Sequence, residues 1–307
     1  MKLLATSVVR GSQQGESHGG IYLLDLERER ADLKLDWDAA GIDWAGRGGD
    51  RGLRGIAFDA ETVYITASDE LYAFAPDFSP IGSWRNPYLK HGHETSIRER
   101  TLYIASTGFD SILGFDLDEK TFTWAMHVDL QRFRFVARAY DPNADNGPLQ
   151  LNRLHINNVH CDDNGMYLSG LRTGGMAHFN GTTLSMSAEL PAGTHNARPF
   201  RNGVLFNDSE ADRLRYVGRG DGSEDRAMAV PRYSPRELQN AEFDDGHVAR
   251  QGFARGLAVL SETVVAGGSS PSTVVVYDLA GNQRLMSVNL SMDVRNAIHG
   301  LEVWPFS

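Results

Sequence analysis

Arg54-Gly-Ile-Ala-Phe-Asp-Ala-Glu-Thr-Val63-Tyr-Ile65 decides the fold. An apolar run stops at a tight turn (Asp59–Glu61), and a second β-branched and aromatic run starts at once. That pattern predicts a strand, a turn and an antiparallel partner. Copies that align without a gap start at His93, Asn157, His195 and Arg255. Nine residues on, the five copies reach Val63, Leu102, Met166, Val204 and Val264. A third strand signal follows each: Leu71–Phe74, Ile112–Leu117, Met176–Phe179, Leu214–Val217 and Thr273–Leu279. A fourth generally follows, as in Phe122–Val128 and Leu285–Leu290. Four antiparallel strands per repeat is the blade of a β-propeller.

A sixth copy is split. Ile298-His299-Gly-Leu-Glu-Val-Trp304 reads as a first strand, and its partners open the sequence at Leu3–Val9, Ile21–Leu26 and Asp32–Trp37. The expected fold is therefore an all-β, six-bladed β-propeller, closed by the C-terminal strand joining the N-terminal blade, which removes an exposed edge. A single domain, 1–307, is expected.

The starting residues of the six copies, called anchors below, alternate in kind: Arg54 then His93, Asn157 then His195, Arg255 then His299. Their spacings, 39, 64, 38, 60 and 44 residues, also alternate between short and long. This predicts a pseudo-three-fold arrangement of blade pairs. The long segments Asp38–Leu53, Asp129–Leu154 and Pro231–Ala254 each join an outer strand to the next inner strand, so they are expected to form a collar where the inner strands begin, the usual setting for binding loops. The turn Asp141–Gly147 reads as part of that lid.

Six polar anchors at the start of the innermost strands predict a polar ring at the mouth of the central channel. His93, His195 and His299, on alternate blades, have the residue types of a three-histidine site for a divalent transition metal: Zn, Fe, Mn, Co or Cu. Such a metal would activate water or polarise a carbonyl. Arg54 and Arg255 are candidates to clamp an anionic group, with Asn157 adding an amide. His91 and His155, two residues before anchors, read as a general acid or base, or as exposed loop histidines. Arg172, in a second-to-third strand turn, and Trp44, in the first long segment, are further substrate-binding candidates. Glu16, His18, Asp110 and Asp208 occupy similar turns, and Glu94 and Asn196 follow anchor histidines as possible orienting groups. His160 is expected to face a neighbouring blade. Trp37, Trp84, Trp124 and Trp304 read as core between blades.

Composition narrows the partners. The net charge of −10 argues against a nucleic-acid backbone as partner. No apolar run is long enough to span a membrane, and the first ten residues lack the features of a signal peptide. The single cysteine, Cys161, allows no internal disulfide, which fits a cytoplasmic setting. Nucleophile elbows and phosphate-binding loops have no believable context here. The readings left open are a metal-dependent lyase, hydrolase or isomerase acting on a small anionic or polar substrate, an Fe- or Cu-dependent oxygenase, and a non-catalytic propeller that binds an anion or scaffolds a protein.

Thr194-His-Asn-Ala-Arg-Pro-Phe-Arg-Asn-Gly203, Gly252-Phe-Ala-Arg-Gly-Leu-Ala-Val259 and Leu154-His-Ile-Asn-Asn-Val159 resemble a bacterial family of propeller-like proteins of unknown function. The resemblance implies the propeller fold and brings no set activity. Six-bladed lactonase-like propellers are a looser likeness. They hold metal through carboxylates and an Asn, and these anchors include no carboxylate. Carotenoid-cleaving oxygenases are similar in holding iron by axial histidines, on seven blades.

Overall fold

The N-terminal apolar run is buried along almost its whole length and forms β1 (Lys2–Val9). In this computed structural model residues 1–38, 52–132, 134–220 and 224–306 are described. Blade 1 continues with β2 (Gly20–Asp25) and β3 (Arg30–Asp36). Blade 2 is β4 (Leu53–Asp59), β5 (Thr62–Ala67), β6 (Glu70–Phe74) and β7 (Pro80–Arg85). Blade 3 holds β8 (Gly92–Arg98), β9 (Thr101–Ser106), β10 (Ser111–Asp116), β11 (Thr121–Gln131) and β12 (Arg134–Tyr140). Blade 4 is β13 (Ile156–Asp162), β14 (Gly165–Gly170), β15 (Gly175–Phe179) and β16 (Leu184–Glu189). Blade 5 is β17 (Thr194–Phe200), β18 (Gly203–Asp208), β19 (Arg213–Gly218) and β20 (Asp225–Ala229). Blade 6 is β21 (Gly252–Val259), β22 (Val264–Ser270), β23 (Thr273–Asp278) and β24 (Gln283–Asn289), and the last strand is β25 (Asn296–Val303).

All strand pairs within the blades are antiparallel neighbours in sequence, apart from β25, which pairs with β1 to complete blade 1. The fold is a six-bladed β-propeller. Among the described residues the helical segments are two 3-10 turns, Thr107–Phe109 and Ala241–Phe243. No helix among the described residues is long and apolar enough to cross a membrane.

By compactness the chain divides into two units, residues 1–54 with 200–307, and residues 55–199. Each has its own core. In the first, Leu3, Ala5 and Leu24 pack with Ala258, Val274 and Ile298. In the second, Tyr64, Leu71 and Leu102 pack with Phe115 and Phe122. The alternating apolar strand pattern supplies these faces, and burying them is the main stabilising contribution.

One long segment is not a lid. Asp129–Leu154 begins as the end of β11, turns, and returns as β12, a fifth strand on the outer edge of blade 3. The sequence hides this because Arg134-Phe-Val-Ala-Arg-Ala-Tyr140 is a polar-edged strand of the kind that blunts a sheet edge. The following turn, Asp141–Gly147, is held down on blade 3. The Tyr88 hydroxyl donates to Ala144 O at 2.8 Å and accepts from Gly147 N at 2.8 Å, and Asn86 Nδ2 donates to Pro142 O. The first long segment lies mostly outside the described residues, and so does Trp44. The third runs along its own unit, where Gln239 N donates to Met292 O and the Tyr233 hydroxyl meets Thr273 Oγ1 at 2.9 Å.

The joints between successive blade pairs repeat the same hydrogen bonds. In the turn after β9, Thr107 Oγ1 donates to Ile156 O at 2.7 Å, at the start of blade 4. In the turn after β18, Ser209 Oγ donates to Ala254 O at 2.6 Å, at the start of blade 6. Ile156 and Ala254 each precede an anchor. Beside them, Asp110 accepts from Arg153, Leu154 and Ile156 N–H groups, and its equivalent Asp212 accepts from Phe253 N. The same device thus seats the incoming inner strand at both joints that follow a described long segment.

Candidate functional site

The six anchor side chains are all buried, none more than 9% exposed. Buried ionisable and amide groups need internal partners, so their bonding states what each can do.

In the 55–199 unit, His93 Nδ1 lies 2.6 Å from His91 O and 2.8 Å from Thr107 Oγ1. His195 Nδ1 lies 3.2 Å from Gly193 O, again the carbonyl two residues back. A carbonyl only accepts, so both rings carry their proton on Nδ1, and Nε2 is the basic nitrogen. The backbone makes this possible because His91, His155 and Phe253, each two residues before an anchor, have φ near +50°. That left-handed step interrupts the period-two alternation of an extended strand just before the anchor. His155 turns its Nδ1 to Asn152 Oδ1 at 3.0 Å and sits edge-on to His93, with ring centroids 5.7 Å apart. Asn157 Nδ2 donates to Thr194 O, and among the described residues its buried Oδ1 accepts no hydrogen bond. Arg172, exposed, spends its guanidinium on Asn152 O, Asn152 Oδ1 and Arg153 O, fastening the loop that precedes β13.

In the other unit, Arg54 is fully buried and its carbonyl accepts from Thr6 Oγ1. Arg255 Nη1 donates to His299 Nε2. The lone pair that a metal would need on that nitrogen is thereby engaged. The Arg255 guanidinium also lies over the Phe253 ring, 4.1 Å from its centroid, and the same ring carries Arg10 at 4.3 Å and Arg250 at 4.8 Å. Arg250 is paired with Asp212 at 2.7 Å, as is Arg232. Burial alone would raise the Asp212 carboxyl. The Phe253 N–H and these two guanidinium groups outweigh it and hold the carboxyl below its ordinary range.

Phe253, Arg10 and Arg250 are not among the residues expected from the sequence. Their signal was present: Phe253 occupies the position equivalent to His91 and His155. The other turn residues serve the scaffold. Asp208 caps Ala211 N and pairs with Arg215, Glu16 caps Gln13 N, and His18 Nδ1 meets Ser12 Oγ. Among the described residues, no group of three or more His, Cys, Asp or Glu side chains is placed to hold a metal ion.

His160, opposite Tyr167 in the β13–β14 ladder, is pushed down to about 3 by burial, with Arg198 adding to the effect. Its folded value lies below the unfolded one, so the unfolded chain binds the extra proton and stability falls as pH drops below about 6.5. We expect His160→Phe to flatten the loss of unfolding free energy between pH 6.5 and 5, by up to about 1.4 kcal/mol per pH unit. Urea titrations at those two pH values check it, and parallel slopes in the two proteins would count against it.

No protein-family model matches the chain, and no curated protein matches it. Among solved structures, a chain in the crystal structure of a nidogen/laminin complex superposes with a TM-score of 0.59 at 12% identity, covering 98% of this chain and 97% of that one. The likeness is one of fold alone. A propeller scaffold carries many functions, so function must be argued from the side chains.

Proposed function

We propose that this propeller is a binding module for a small anion, a carboxylate or phosphate group held by Arg255 and Arg10. The observation that carries the reading is the gathering of Arg10, Arg250 and Arg255 on the single ring of Phe253. The Arg10 and Arg255 guanidinium carbons lie within about 8 Å of each other. At an effective dielectric of about 20, two like charges at that distance repel by roughly 2 kcal/mol. A cation–π contact returns only about 0.5–1 kcal/mol each. Asp212 pairs with Arg250, and an anion beside Arg10 and Arg255 would offset this repulsion. His299 accepts from Arg255 Nη1 and so fixes the plane of the guanidinium, the group whose planar geometry suits a carboxylate or phosphate. Half-buried Arg10 gives the anion a solvent-facing approach. Metal-assisted lyase, hydrolase, isomerase or oxygenase chemistry at His93, His195 and His299 has no comparable observation in its favour.

Calorimetric titration with orthophosphate, sulfate and succinate at low ionic strength tests this. At least one should bind, and at a hundred times its Kd should stabilise the fold by about 2.7 kcal/mol. Arg255→Lys and Arg10→Gln should each weaken it tenfold or more, while His247→Ala leaves it unchanged. Absence of binding, or binding that ignores both arginines, overturns the reading. So does a stoichiometric transition metal in untagged protein that is lost in His195→Ala and retained in His247→Ala.

A further inference from the structure

A recess in the 55–199 unit shares no residue with the Phe253 cluster. It is built from two cross-strand rows. On blade 3, Tyr103 faces Gly114, which faces Trp124. On blade 4, Cys161 faces Met166, which faces Phe179. Gly114 matters here: a Cβ there would meet Thr101 Cγ2 at 3.2 Å and the Trp124 ring at 3.4 Å. Its absence lets Trp124 lie against the sheet and meet Tyr103 edge-on, with centroids 5.7 Å apart. Between the rows is a cavity of about 190 Å³, with Arg98 on its wall. Arg98 ends β8, at the far end of the strand from His93, roughly 15 Å away.

We propose that this recess binds a small aromatic carboxylate, its ring among Tyr103, Trp124, Met166 and Phe179 and its carboxylate on Arg98. The volume suits one six-membered ring with a small substituent, since a cavity of about 150 Å³ accommodates benzene. Tyr103, Trp124, Phe179 and Met166 offer aromatic and thioether surface to a flat ring, and the rest of the lining is polar, which suits a ligand with one apolar and one charged end. Arg98 is the one charged residue lining the cavity. Its guanidinium makes no hydrogen bond or ion pair among the described residues. It therefore selects an anion, and a planar carboxylate matches its two-point geometry. Cys161 does not compete for it: burial pushes the thiol up to about 11, so it stays neutral and acts as a soft wall. The Tyr103 phenol is likewise raised by burial and stays protonated.

Benzoate is the probe, with benzyl alcohol as its uncharged counterpart. Cys161 is the only cysteine in the chain, so its alkylation reads occupancy directly. Saturating benzoate should slow iodoacetamide labelling of Cys161 at least threefold, and calorimetry should show benzoate binding at least tenfold tighter than benzyl alcohol. In Arg98→Gln, an exposed position that leaves the fold intact, benzoate affinity should fall at least tenfold to match benzyl alcohol. Met166→Trp, which fills the recess, should abolish both. Unchanged labelling in saturating benzoate overturns the proposal. Equal benzoate affinity in wild type and Arg98→Gln overturns it too.

Discussion

Gly55→Ala is expected to lower the unfolding free energy by about 3 kcal/mol or more, a large loss for one methyl group. A Cβ at Gly55 would lie 2.3 Å from His93 O and 2.7 Å from Thr95 N. Both are backbone atoms of β8, so no rotamer change relieves the clash, and β4 and β8 must separate. Separation would also disturb the His93 ring, whose orientation depends on the local backbone. The measurement is the urea midpoint at unchanged m-value. Gly82→Ala is the control: its Cβ would meet only the Trp84 side chain, at 3.3 Å, and should cost under about 1 kcal/mol. Equal midpoints for the two variants would refute the close-approach argument.

Asp110→Ala is expected to cost about 3 kcal/mol and lower Tm by about 5 °C. Asp110 is 2% exposed, and its carboxylate accepts from Arg153 N at 2.5 Å, Leu154 N at 3.1 Å and Ile156 N at 3.2 Å. Removing it leaves three donors at the entry to β13 without their acceptor, and only partial water access to replace it. Asp110→Asn keeps one good acceptor oxygen and should cost about half as much. The damage should be local: hydrogen exchange should quicken first in residues 152–157. If the two variants melt together with wild type, the carboxylate is not what seats blade 4.

The scaffold was largely legible because it repeats. Val63 and its equivalents fall in second strands, and Ile298–Val303 falls in β25, paired with β1 as the split sixth copy implied. Short apolar runs recur in every blade because the inner strands of each are buried on both faces. What sequence could not give was contact across the repeat. Arg134–Tyr140 looked like loop because an outer edge strand has little apolar surface to show. His91 and His155 have left-handed backbone, and nothing in the residues two before an anchor announces that. The arginines on Phe253 went unread for a related reason: Arg10, Arg250 and Phe253 lie off the anchor positions, and Arg10 is about 240 residues from the other two in sequence. Trp124 read as core between blades, since the room that Gly114 leaves there is a property of two sheets rather than of either strand.

The β25–β1 pair has a consequence in time. Thr6 Oγ1 accepts from Gly300 N across a separation of 294 residues. At about 5–20 residues per second, synthesis keeps β1 waiting for its inner partner for roughly 15–60 s. Through that interval five blades can finish while the first presents a bare strand edge rich in apolar side chains. The vulnerable species is therefore the chain on the ribosome in which β24 has been made and β25 has not. Conditions that slow translation over the last blade should raise aggregation more than the same delay placed anywhere earlier.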